Sequence, residues 1–332
     1  MQRARQSNEV QAMKVDAIPA IQSRQTRRAY GAISIWLRRA WKQRQLYLLF
    51  LPAAIFLIVF AYIPYTGLVM AFQDFSPRRG IFGSPWVGLE HFQYLFGRAG
   101  FFQILLNTVL ISLYKLVFGM PIPIIFALLL NEIRWIAFRR VSQTLASFPH
   151  FLSWVVYGGL MVIFLAPGGA FANTLSALNL QDPRLLSTPA TFRSVLVVTE
   201  ILKEFGWSAI IYLAAITAID PTLYEAAMVD GANRWQQMRH ITLPAIRGVI
   251  VILFILHLGR ILDAGFEQVF VMYNPSVYSV AEIIDTYVYR IGLVSGRFSL
   301  GTAVGVFKGV IGVILILSSN QVLKHLRMPT IW

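Results

Sequence analysis

Charged side chains occur at two places within strongly apolar parts of the sequence. Arg260, Asp263 and Glu267 are separated by three and four residues, and Lys203 and Glu204 are neighbours. In a single helix the first three would share one face. Charged groups are costly inside a bilayer, and those found there commonly line the path of a polar solute or an ion. The alternative is internal pairing, of Arg260 with Asp263 and of Lys203 with a glutamate.

Aromatic and amide side chains close to these charges are suited to binding a sugar. An aromatic ring offers an apolar face, while amides and hydroxyl groups form hydrogen bonds with the sugar hydroxyls. Tyr273, Asn274 and Tyr287 lie after the three-residue group, and Trp207 lies after the neighbouring pair. The alternative for each aromatic residue is the belt at the membrane interface. We therefore predict a substrate path made of Lys203, Glu204, Trp207, Arg260, Asp263, Glu267, Tyr273, Asn274 and Tyr287.

A third polar stretch, DPTLYEAAMVDGANRWQQMRHITLP at 220–244, separates two apolar segments. Asp220 is suited to cap a helix N-terminus, and Pro221 is suited to the first helical position. Gly231 follows Asp230 at a point where a helix would end in a left-handed residue, and Asn233 is suited to cap a second helix. The stretch therefore predicts two short helices joined by a glycine turn.

The first of these two helices has features of a docking surface. Ala226 and Ala227 are small enough to let another surface approach closely, and Glu225 and Asp230 place charges at the rim. Such a surface is suited to a groove on a partner protein. The alternative is that the loop packs against its own helical bundle.

The elements that must position these residues are membrane-spanning helices. The chain of 332 residues is 57% hydrophobic and 13% charged, whereas soluble domains are about 25% charged. Long uncharged runs recur along it, and a helix needs about 20 apolar residues to cross a bilayer. The pattern predicts an all-α membrane protein with about six spans, near 46–70, 103–130, 142–166, 193–216, 247–268 and 304–322.

The distribution of basic residues predicts the orientation of the chain. Of the 29 Lys and Arg residues, 18 lie in the segments 1–45, 131–141, 217–247 and 323–332, and 7 lie in the segments of the opposite side. Because cytoplasmic segments are enriched in Lys and Arg, both termini and the 220–244 loop are predicted to be cytoplasmic. The net charge of +14 follows from this arrangement, so no nucleic-acid partner is predicted.

The N-terminal residues divide into two segments before the first span. Residues 1–28 are polar and rich in Gln and Arg, which predicts a flexible cytoplasmic tail. Within 29–45, Ile33, Trp36, Leu37 and Ala40 would share one face of a helix that is otherwise basic. This pattern predicts an amphipathic interfacial segment, with a plain basic stop signal as the alternative. Residues 46–332 then form a six-helix transmembrane domain that contains the 220–244 loop.

The residues that the sequence lacks exclude several chemistries. No Lys directly follows a Gly, so the chain has no phosphate-binding loop of the GxxxxGK type. It has no Cys, and its five His residues show neither HxxxH nor HExxH spacing, so neither a metal nor a cofactor is predicted for it. It also has no GxSxG motif. No catalytic residue is predicted.

The stretch EAAMVDGANRWQQMRHITLP, which begins at Glu225, resembles the EAA loop of ABC importer inner-membrane permeases. That signature consists of EAA, then DGA or G, then I-x-LP at fixed spacing. Met238 stands where the family more often has an aromatic residue. The matching residues are Glu225, Ala226, Ala227, Asp230, Gly231, Ala232, Ile241, Leu243 and Pro244.

The rest of the chain, over about 45–332, resembles the maltose-type sugar permeases, and more narrowly those for polysaccharide-derived oligosaccharides. The likeness lies in YIPYTGLVMAFQDFSPRRGIFGSPWVGLEHFQYLF, LNTVLISLYKLVFGMPIPIIFALLLNEI and FEQVFVMYNPSVYSVAEIIDTYVYRIGL. It implies a type I ABC importer permease fold in the bacterial inner membrane, with the EAA helices as a cytoplasmic coupling pair. Glu225 would face a basic residue of an ATPase, and Gly231 would permit the turn.

The resemblance also implies partners and a substrate. The partners are a second permease, usually a homologous but different chain, a dimer of ABC ATPases that bind ATP and Mg, and an extracytoplasmic solute-binding protein. The substrate is an oligosaccharide. Alginate and rhamnogalacturonan fragments are the acidic candidates, since Lys203, Arg260, Arg290 and Arg297 offer positive charge to uronates. This chain would then be a translocation subunit and not an enzyme.

Two other classes of protein compete with this interpretation. An ion-gradient-driven secondary transporter would use the charges of the fourth and fifth spans, but it leaves the 225–244 motif unexplained. An intramembrane enzyme would require a cluster of catalytic groups, and the sequence offers none that is recognisable.

Overall fold

The computed structural model describes residues 41–178 and 184–325. The predicted tail 1–28 lies outside these residues, as does 29–40 of the predicted amphipathic segment. Apart from one isolated bridge between Gln73 and Trp86, all regular structure in the described residues is helical. The chain divides into two compact units, Met1–Gly67 and Leu68–Trp332.

The described part of the first unit is a single apolar helix. Helix α1 spans Arg44–Leu57 and continues through a π-helical turn, Ile58–Tyr62, into a 3-10 segment that begins at Ile63. It is apolar on all sides, which is characteristic of a helix that crosses a membrane. The whole helical run, Arg44–Phe72, has 29 residues and matches the predicted first span.

The second unit is built from fifteen further α-helices in its described residues. They are α2 (Gly80–Gly83), α3 (Glu90–Phe96), α4 (Ala99–Gly119), α5 (Pro121–Glu132), α6 (Ile136–Ser147), α7 (Trp154–Leu165), α8 (Ala170–Ala177), α9 (Pro189–Thr217), α10 (Pro221–Val229), α11 (Arg234–Gln237), α12 (Leu243–Gly259), α13 (Phe266–Met272), α14 (Tyr278–Ala281), α15 (Ile284–Val288) and α16 (Phe298–His325).

Five helical runs of the described chain are long and apolar enough to cross a membrane. They are Arg44–Phe72, Gly100–Glu132, Trp154–Ala177, Arg234–Gly259 and Phe298–Val322. A sixth is present if α9 and α10, which meet at a bend of 68°, count as one broken span. The predicted all-α membrane fold with about six spans is therefore confirmed.

The third predicted span, 142–166, is not one continuous helix. Helix α6 ends at Ser147, a 3-10 turn covers Phe148–Phe151, and α7 begins at Trp154. Pro149 lies within the turn, where it cannot donate a helical hydrogen bond. The hydroxyl of Ser153 then caps α7 by accepting from the Val156 N–H at 3.3 Å.

The fifth predicted span, 247–268, was also wrong as a single helix. Helix α12 ends at Gly259, and α13 begins only at Phe266. Gly265 just before α13 has a φ of +87°, which interrupts a right-handed helix. The prediction that Arg260, Asp263 and Glu267 share one helical face is therefore wrong.

Helix α9 is the central element of the second unit, where it packs against α4, α5, α6 and α12. Its closest approach is to α6. A Cβ atom added at Gly206 would lie 2.2 Å from the carbonyl carbon and oxygen of Ala146. The two helices therefore touch through their backbones, and any larger residue at 206 would separate them.

Candidate functional site

The first helix of the 220–244 loop has a defined beginning. The Asp220 carboxylate accepts a hydrogen bond from the backbone N–H of Thr222 at 2.9 Å, and Pro221 occupies the first helical position. The same hydrogen bond lowers the pKa of Asp220 below its usual value. The predicted cap is present.

The end of that helix is equally defined by backbone hydrogen bonds. The Gly231 N–H donates to the Met228 carbonyl at 3.1 Å, and the Ala232 N–H donates to the Ala227 carbonyl at 2.8 Å. Gly231 has a φ of +76°, so it is the left-handed residue that this helix end requires. The predicted glycine turn is present as well.

The second helix of the loop begins with a capping box. The Asn233 side chain accepts from the Gln236 N–H at 2.9 Å, and the Gln236 side chain accepts from the Asn233 N–H at 2.8 Å. The Gln237 side chain also donates to the Ala232 carbonyl at 2.9 Å. Caps and turn together define the shape of this unit through hydrogen bonds between residues that are close in sequence.

Two long-range contacts fix this unit to the rest of the bundle. The Arg234 guanidinium pairs with the Glu132 carboxylate at 2.5 Å, which links the loop to the end of α5. The hydroxyls of Tyr224 and Thr242 lie 2.9 Å apart, which links α10 to the start of the next span. A displacement of the loop would therefore be transmitted to both spans.

The outer surface of the loop is apolar and free. Helix α10 contains no buried residue, and Val229 is 89% exposed. Leu223, Met228 and Trp235 are also exposed. Neither the Glu225 nor the Asp230 carboxylate has a hydrogen bond or an ion pair with any of the residues 41–178 and 184–325.

The nine motif residues are distributed over the exposed and the inner side of this loop. Glu225, Ala226, Asp230, Gly231 and Pro244 are exposed, whereas Ala227, Ala232, Ile241 and Leu243 are partly buried. The exposed members include both free carboxylates, and the partly buried members hold the loop on the bundle. This arrangement favours docking over packing of the loop against its own bundle.

A cavity of about 340 Å³ lies within the second unit, between α4, α9, α12 and the segment 260–265, and its lining combines apolar side chains with a group of ionisable ones. Its charged and ionisable lining consists of Lys115, Glu200, Glu204, His257, Arg260 and Asp263. Its hydroxyl lining consists of Ser112, Ser208 and Tyr212. Ser112 is buried, and its hydroxyl has no hydrogen-bond partner among the described residues.

Charge pairing accompanies this lining, as the alternative interpretation predicted. Arg260 pairs with Asp263 at 2.9 Å, and Lys203 pairs with Glu204 at 3.0 Å. The Arg260 side chain is nevertheless 78% exposed, so most of its donors stay free. Arg260 and Asp263 therefore both line the cavity and form an ion pair with each other.

The structure brings some of the predicted path residues together. Glu204, Arg260 and Asp263 line the cavity. Lys203 is buried and bonds Glu204. Trp207 stacks on the ring of His150 at 4.5 Å, and His150 in turn bonds Glu204 at 2.7 Å. These five predicted residues form one continuous region.

The other four predicted path residues lie elsewhere, and the described lining of the cavity does not include them. Glu267 is exposed in the first turn of α13. Tyr273 packs on Tyr278 with a ring separation of 4.8 Å. Asn274 caps a 3-10 turn and donates to the Leu186 carbonyl. Tyr287 is buried in an apolar cluster. The break at 260–265 redirects the chain and separates these residues from the cavity.

Several cavity residues were not assigned to the path from the sequence. Lys115, Glu200 and His257 were visible as ionisable residues within apolar segments, and that was the only signal. Ser112, Ser208 and Tyr212 carried none, because their convergence depends on how α4 and α9 are packed. Among the described residues, no group of three His, Asp or Glu side chains is placed to hold a metal ion.

A helical membrane protein with a cavity that has charged side chains in its lining and an exposed, capped helix pair has the architecture of a solute permease. The model of the family described as binding-protein-dependent transport system inner membrane component matches residues 119–327, and the chain belongs to this family. It is thus a membrane permease of an ABC importer, and the secondary-transporter alternative gains no support.

Curated relatives and solved structures support the sugar-permease type. The polygalacturonan/rhamnogalacturonan transport system permease protein YteP of Bacillus subtilis is 48% identical over 85% of this chain and 88% of its own length. The protein LplB of the same organism is 42% identical over 87% of this chain and 91% of its own.

Two solved structures are similar over most of the chain. One is of a bacterial ABC transporter that imports the acidic polysaccharide alginate. It has a TM-score of 0.80 and 39% identity, over 87% of this chain and 98% of the matched chain. The other is of a bacterial alginate ABC transporter in complex with its alginate pentasaccharide-bound periplasmic protein. It has a TM-score of 0.81 and 38% identity, over 89% of this chain and 99% of the matched chain. The predicted family and permease fold are confirmed.

Proposed function

We propose that this chain moves acidic oligosaccharides across the inner membrane through the cavity between α4, α9 and α12. The observation that carries the proposal is the exposed Arg260 guanidinium at this cavity inside a membrane protein. The substrates named for the relatives, polygalacturonan, rhamnogalacturonan and alginate, all contain uronate units. A carboxylate is therefore their shared recognition feature.

The cavity offers suitable donors for a uronate. Arginine carries five N–H donors in a planar fork and binds carboxylates in a bidentate manner. One guanidinium nitrogen of Arg260 donates to the Asp263 carboxylate. The His257 Nδ1 donates to the Leu253 carbonyl at 2.8 Å, since a carbonyl can only accept. This bond leaves the Nε2 of His257, a lining residue, available for a sugar hydroxyl.

The three cavity carboxylates do not oppose an acidic substrate at full strength. Each is paired with a cation: Glu200 with Lys115 at 3.2 Å, Glu204 with Lys203, and Asp263 with Arg260. A carboxylate that is already paired repels a second anion less than a free one. Ser208, the partly exposed hydroxyl residue of the lining, is then available for the neutral part of the sugar.

The helix pair of the 220–244 loop is the proposed link to the energy source. Its apolar side chains around Ala226 would be buried against an ATPase, and the free Glu225 carboxylate would pair with a basic residue there. Burial of a side chain such as Val229 contributes about 1.5–3 kcal/mol. ATP and Mg would be bound by the two ATPases, and the Arg234–Glu132 contact would transmit their closure to α5.

The remaining partners follow from the same proposal. A second permease, homologous but of different sequence, would complete the membrane part, and an extracytoplasmic solute-binding protein would deliver the sugar. The excess of Lys and Arg in 1–45 and 217–247 supports cytoplasmic termini and a cytoplasmic loop.

The test is purification of the complex from native membranes, followed by ATPase and uptake assays in proteoliposomes. We expect an ATPase to co-purify and its activity to rise with a binding protein loaded with uronate oligosaccharides. The matched control is the same oligosaccharide with its carboxyl groups reduced to alcohols. Equal stimulation by both sugars would contradict the acidic substrate, and a chain without an ATPase would contradict the coupling.

A further inference from the structure

We propose that Lys115 and Lys203 are positioning residues that clamp the two helix breaks of the second unit onto α9, and that neither binds the substrate. The breaks are 260–265, between α12 and α13, and 148–153, between α6 and α7. The inference rests on the proposed role of the cavity as the substrate path: the first break lines this cavity, and the second contacts its lining residue Glu204 through His150.

Lys115 holds the first break. Its ammonium donates to the carbonyl of Ala264 at 2.8 Å, next to the left-handed Gly265. A carbonyl that leaves the helical ladder inside a membrane needs another donor, because no lipid group can supply one. The Lys115 side chain, 12% exposed, reaches this carbonyl from α4.

The ammonium of Lys115 has no donor left for a ligand. Besides Ala264, it bonds the Glu200 carboxylate at 3.2 Å and the side-chain oxygen of Gln268. An ammonium group has three N–H donors, and these contacts use all three. Gln268 is fully buried, and its amide donates to the Leu196 carbonyl at 2.7 Å. The network therefore ties the break and α13 to α9.

Lys203 holds the second break by the same means. Its ammonium donates to the carbonyl of His150 at 2.9 Å and to the Glu204 carboxylate at 3.0 Å. It also lies 5.3 Å from the ring centre of Trp154, at the start of α7. Its side chain is only 5% exposed. Carboxylate, carbonyl and ring surround the charge and leave no side open to a sugar.

Both clamps share one feature of α9. Each lysine joins a break carbonyl to a glutamate, and the two glutamates, Glu200 and Glu204, are four residues apart on one face of α9. Glu204 lies about 20 Å from the end of α9 at Thr217, so both clamps are deep in the bundle. Through them α9 sets the positions of Arg260 on one break and His150 on the other.

The test uses single cysteines, since the chain has none of its own. Ile261→Cys reports on the first break and Leu152→Cys on the second, and both positions are partly buried. The rate of labelling by a water-soluble maleimide is measured on the purified complex without substrate. We expect Lys115→Met to raise the rate at least tenfold at the first reporter and less than threefold at the second. Lys203→Met should do the reverse.

Lys308→Met is the matched control. Lys308 is also a mid-span lysine, but its ammonium bonds the Asp285 carboxylate at 2.6 Å. Its nearest contact with the first break is the Asp263 carboxylate, at 4.0 Å. It should change neither rate more than threefold. Unchanged rates in both clamp variants would overturn the proposal, as would equal increases at both reporters in either variant.

A further variant decides the matter if the lysine variants fail to assemble. A Cβ at Gly265 would lie 2.9 Å from the Lys115 nitrogen, so Gly265→Ala disturbs the first clamp without removing its charge. It should raise labelling only at the first reporter, and no increase there would overturn the proposal. Because no substrate is added, these results do not depend on which solute the complex carries. The uptake assay described above tests the identity of the solute.

Discussion

The 220–244 loop and the cavity are built on different principles. In the loop, Asp220, Gly231 and Asn233 form hydrogen bonds with residues no more than five positions away. In the cavity, Lys115 of α4 bonds Glu200 of α9 and a carbonyl that follows α12. The loop is shaped by nearby residues and the cavity by distant ones. A substitution in the loop should therefore act locally, and one near the cavity should act on the whole bundle.

The sharpest test of this difference is the same substitution at two glycines. At Gly206 an added Cβ would lie 2.2 Å from the Ala146 backbone, whereas at Gly231 no atom lies within 4 Å. Gly206→Ala must force α6 and α9 apart, and we expect it to abolish assembly or to lower the melting temperature strongly. Overpacking of this kind costs about 1–3 kcal/mol or more. Fluorescence-detected gel filtration after heating measures the effect.

Gly231→Ala is the control in that experiment. Its only cost is the left-handed backbone, about 1–2 kcal/mol, and it falls on an exposed turn. We expect the complex to assemble, with a fall in melting temperature of only a few degrees. If both variants lost assembly to the same degree, the distinction between local and global stabilisation would fail.

A larger side chain at Gly231 should uncouple the importer. Gly231→Val adds a β-branched residue at a φ of +76°, at a cost of roughly 1–3 kcal/mol. We expect the glycine turn to rearrange and sugar uptake to fall about tenfold or more, while the complex stays assembled and basal ATPase activity remains.

The control for uncoupling is Gly231→Asn, because asparagine tolerates the left-handed region better than other non-glycine residues. It should retain more uptake than Gly231→Val in the same proteoliposomes. Full ATP-coupled uptake with Gly231→Val would contradict the proposed role of the loop.

Within the cavity, Arg260→Gln should change selectivity more than stability. A hydrogen bond to a charged group contributes about 1.5–3 kcal/mol. We therefore expect the KM for uronate oligosaccharides to rise roughly tenfold or more, with little change for the carboxyl-reduced sugar. Competition uptake with the two sugars gives the ratio directly.

Arg260→Lys keeps the charge without the planar fork and should lose less selectivity than Arg260→Gln. If Arg260→Gln lowered uptake of the uronate sugar and of the carboxyl-reduced sugar equally, Arg260 would act on the structure of the protein and not on the substrate carboxylate.

The smallest effect is expected at the contact between the loop and α5. Arg234 and Glu132 form a partly exposed pair, and such pairs contribute about 0–1 kcal/mol. Arg234→Ala should lower coupled uptake less than about fivefold. High salt screens the ion pair, so it should reduce coupled uptake more in the unsubstituted protein than in the variant. A loss as large as that of Gly231→Val would mean that the movement passes mainly through this pair and not also through the Tyr224–Thr242 contact.

The predictability of each region follows from the same difference. The caps and the glycine turn of 220–244 were predicted from residue types because their partners are close in sequence. The spans were predicted because long apolar runs have few stable alternatives in a membrane. The shared face of Arg260, Asp263 and Glu267 was predicted wrongly, since no local signal showed that Lys115 would satisfy the Ala264 carbonyl and so permit a break.

The positions of the predicted path residues depend on the same kind of distant contact. Asn274 and Tyr287 have the right chemistry for a sugar, but one caps a turn and the other is buried in an apolar cluster. Ser112 has ordinary chemistry, but helix packing places it beside the cavity and buries its hydroxyl without a hydrogen-bond partner among the described residues. Residue type alone does not distinguish these cases.

The sequence by itself determined the membrane class, the approximate number of spans and the two capped helices of 220–244, because composition, hydropathy and helix caps act over a few neighbouring residues. It also determined the family through the motif that begins at Glu225. Only the tertiary structure decided where the third and fifth spans break and which charged residues face one cavity. Those outcomes depend on pairs such as Lys115 with Ala264 and Lys203 with His150, which are far apart along the chain and meet only when α4, α6 and α12 pack on α9.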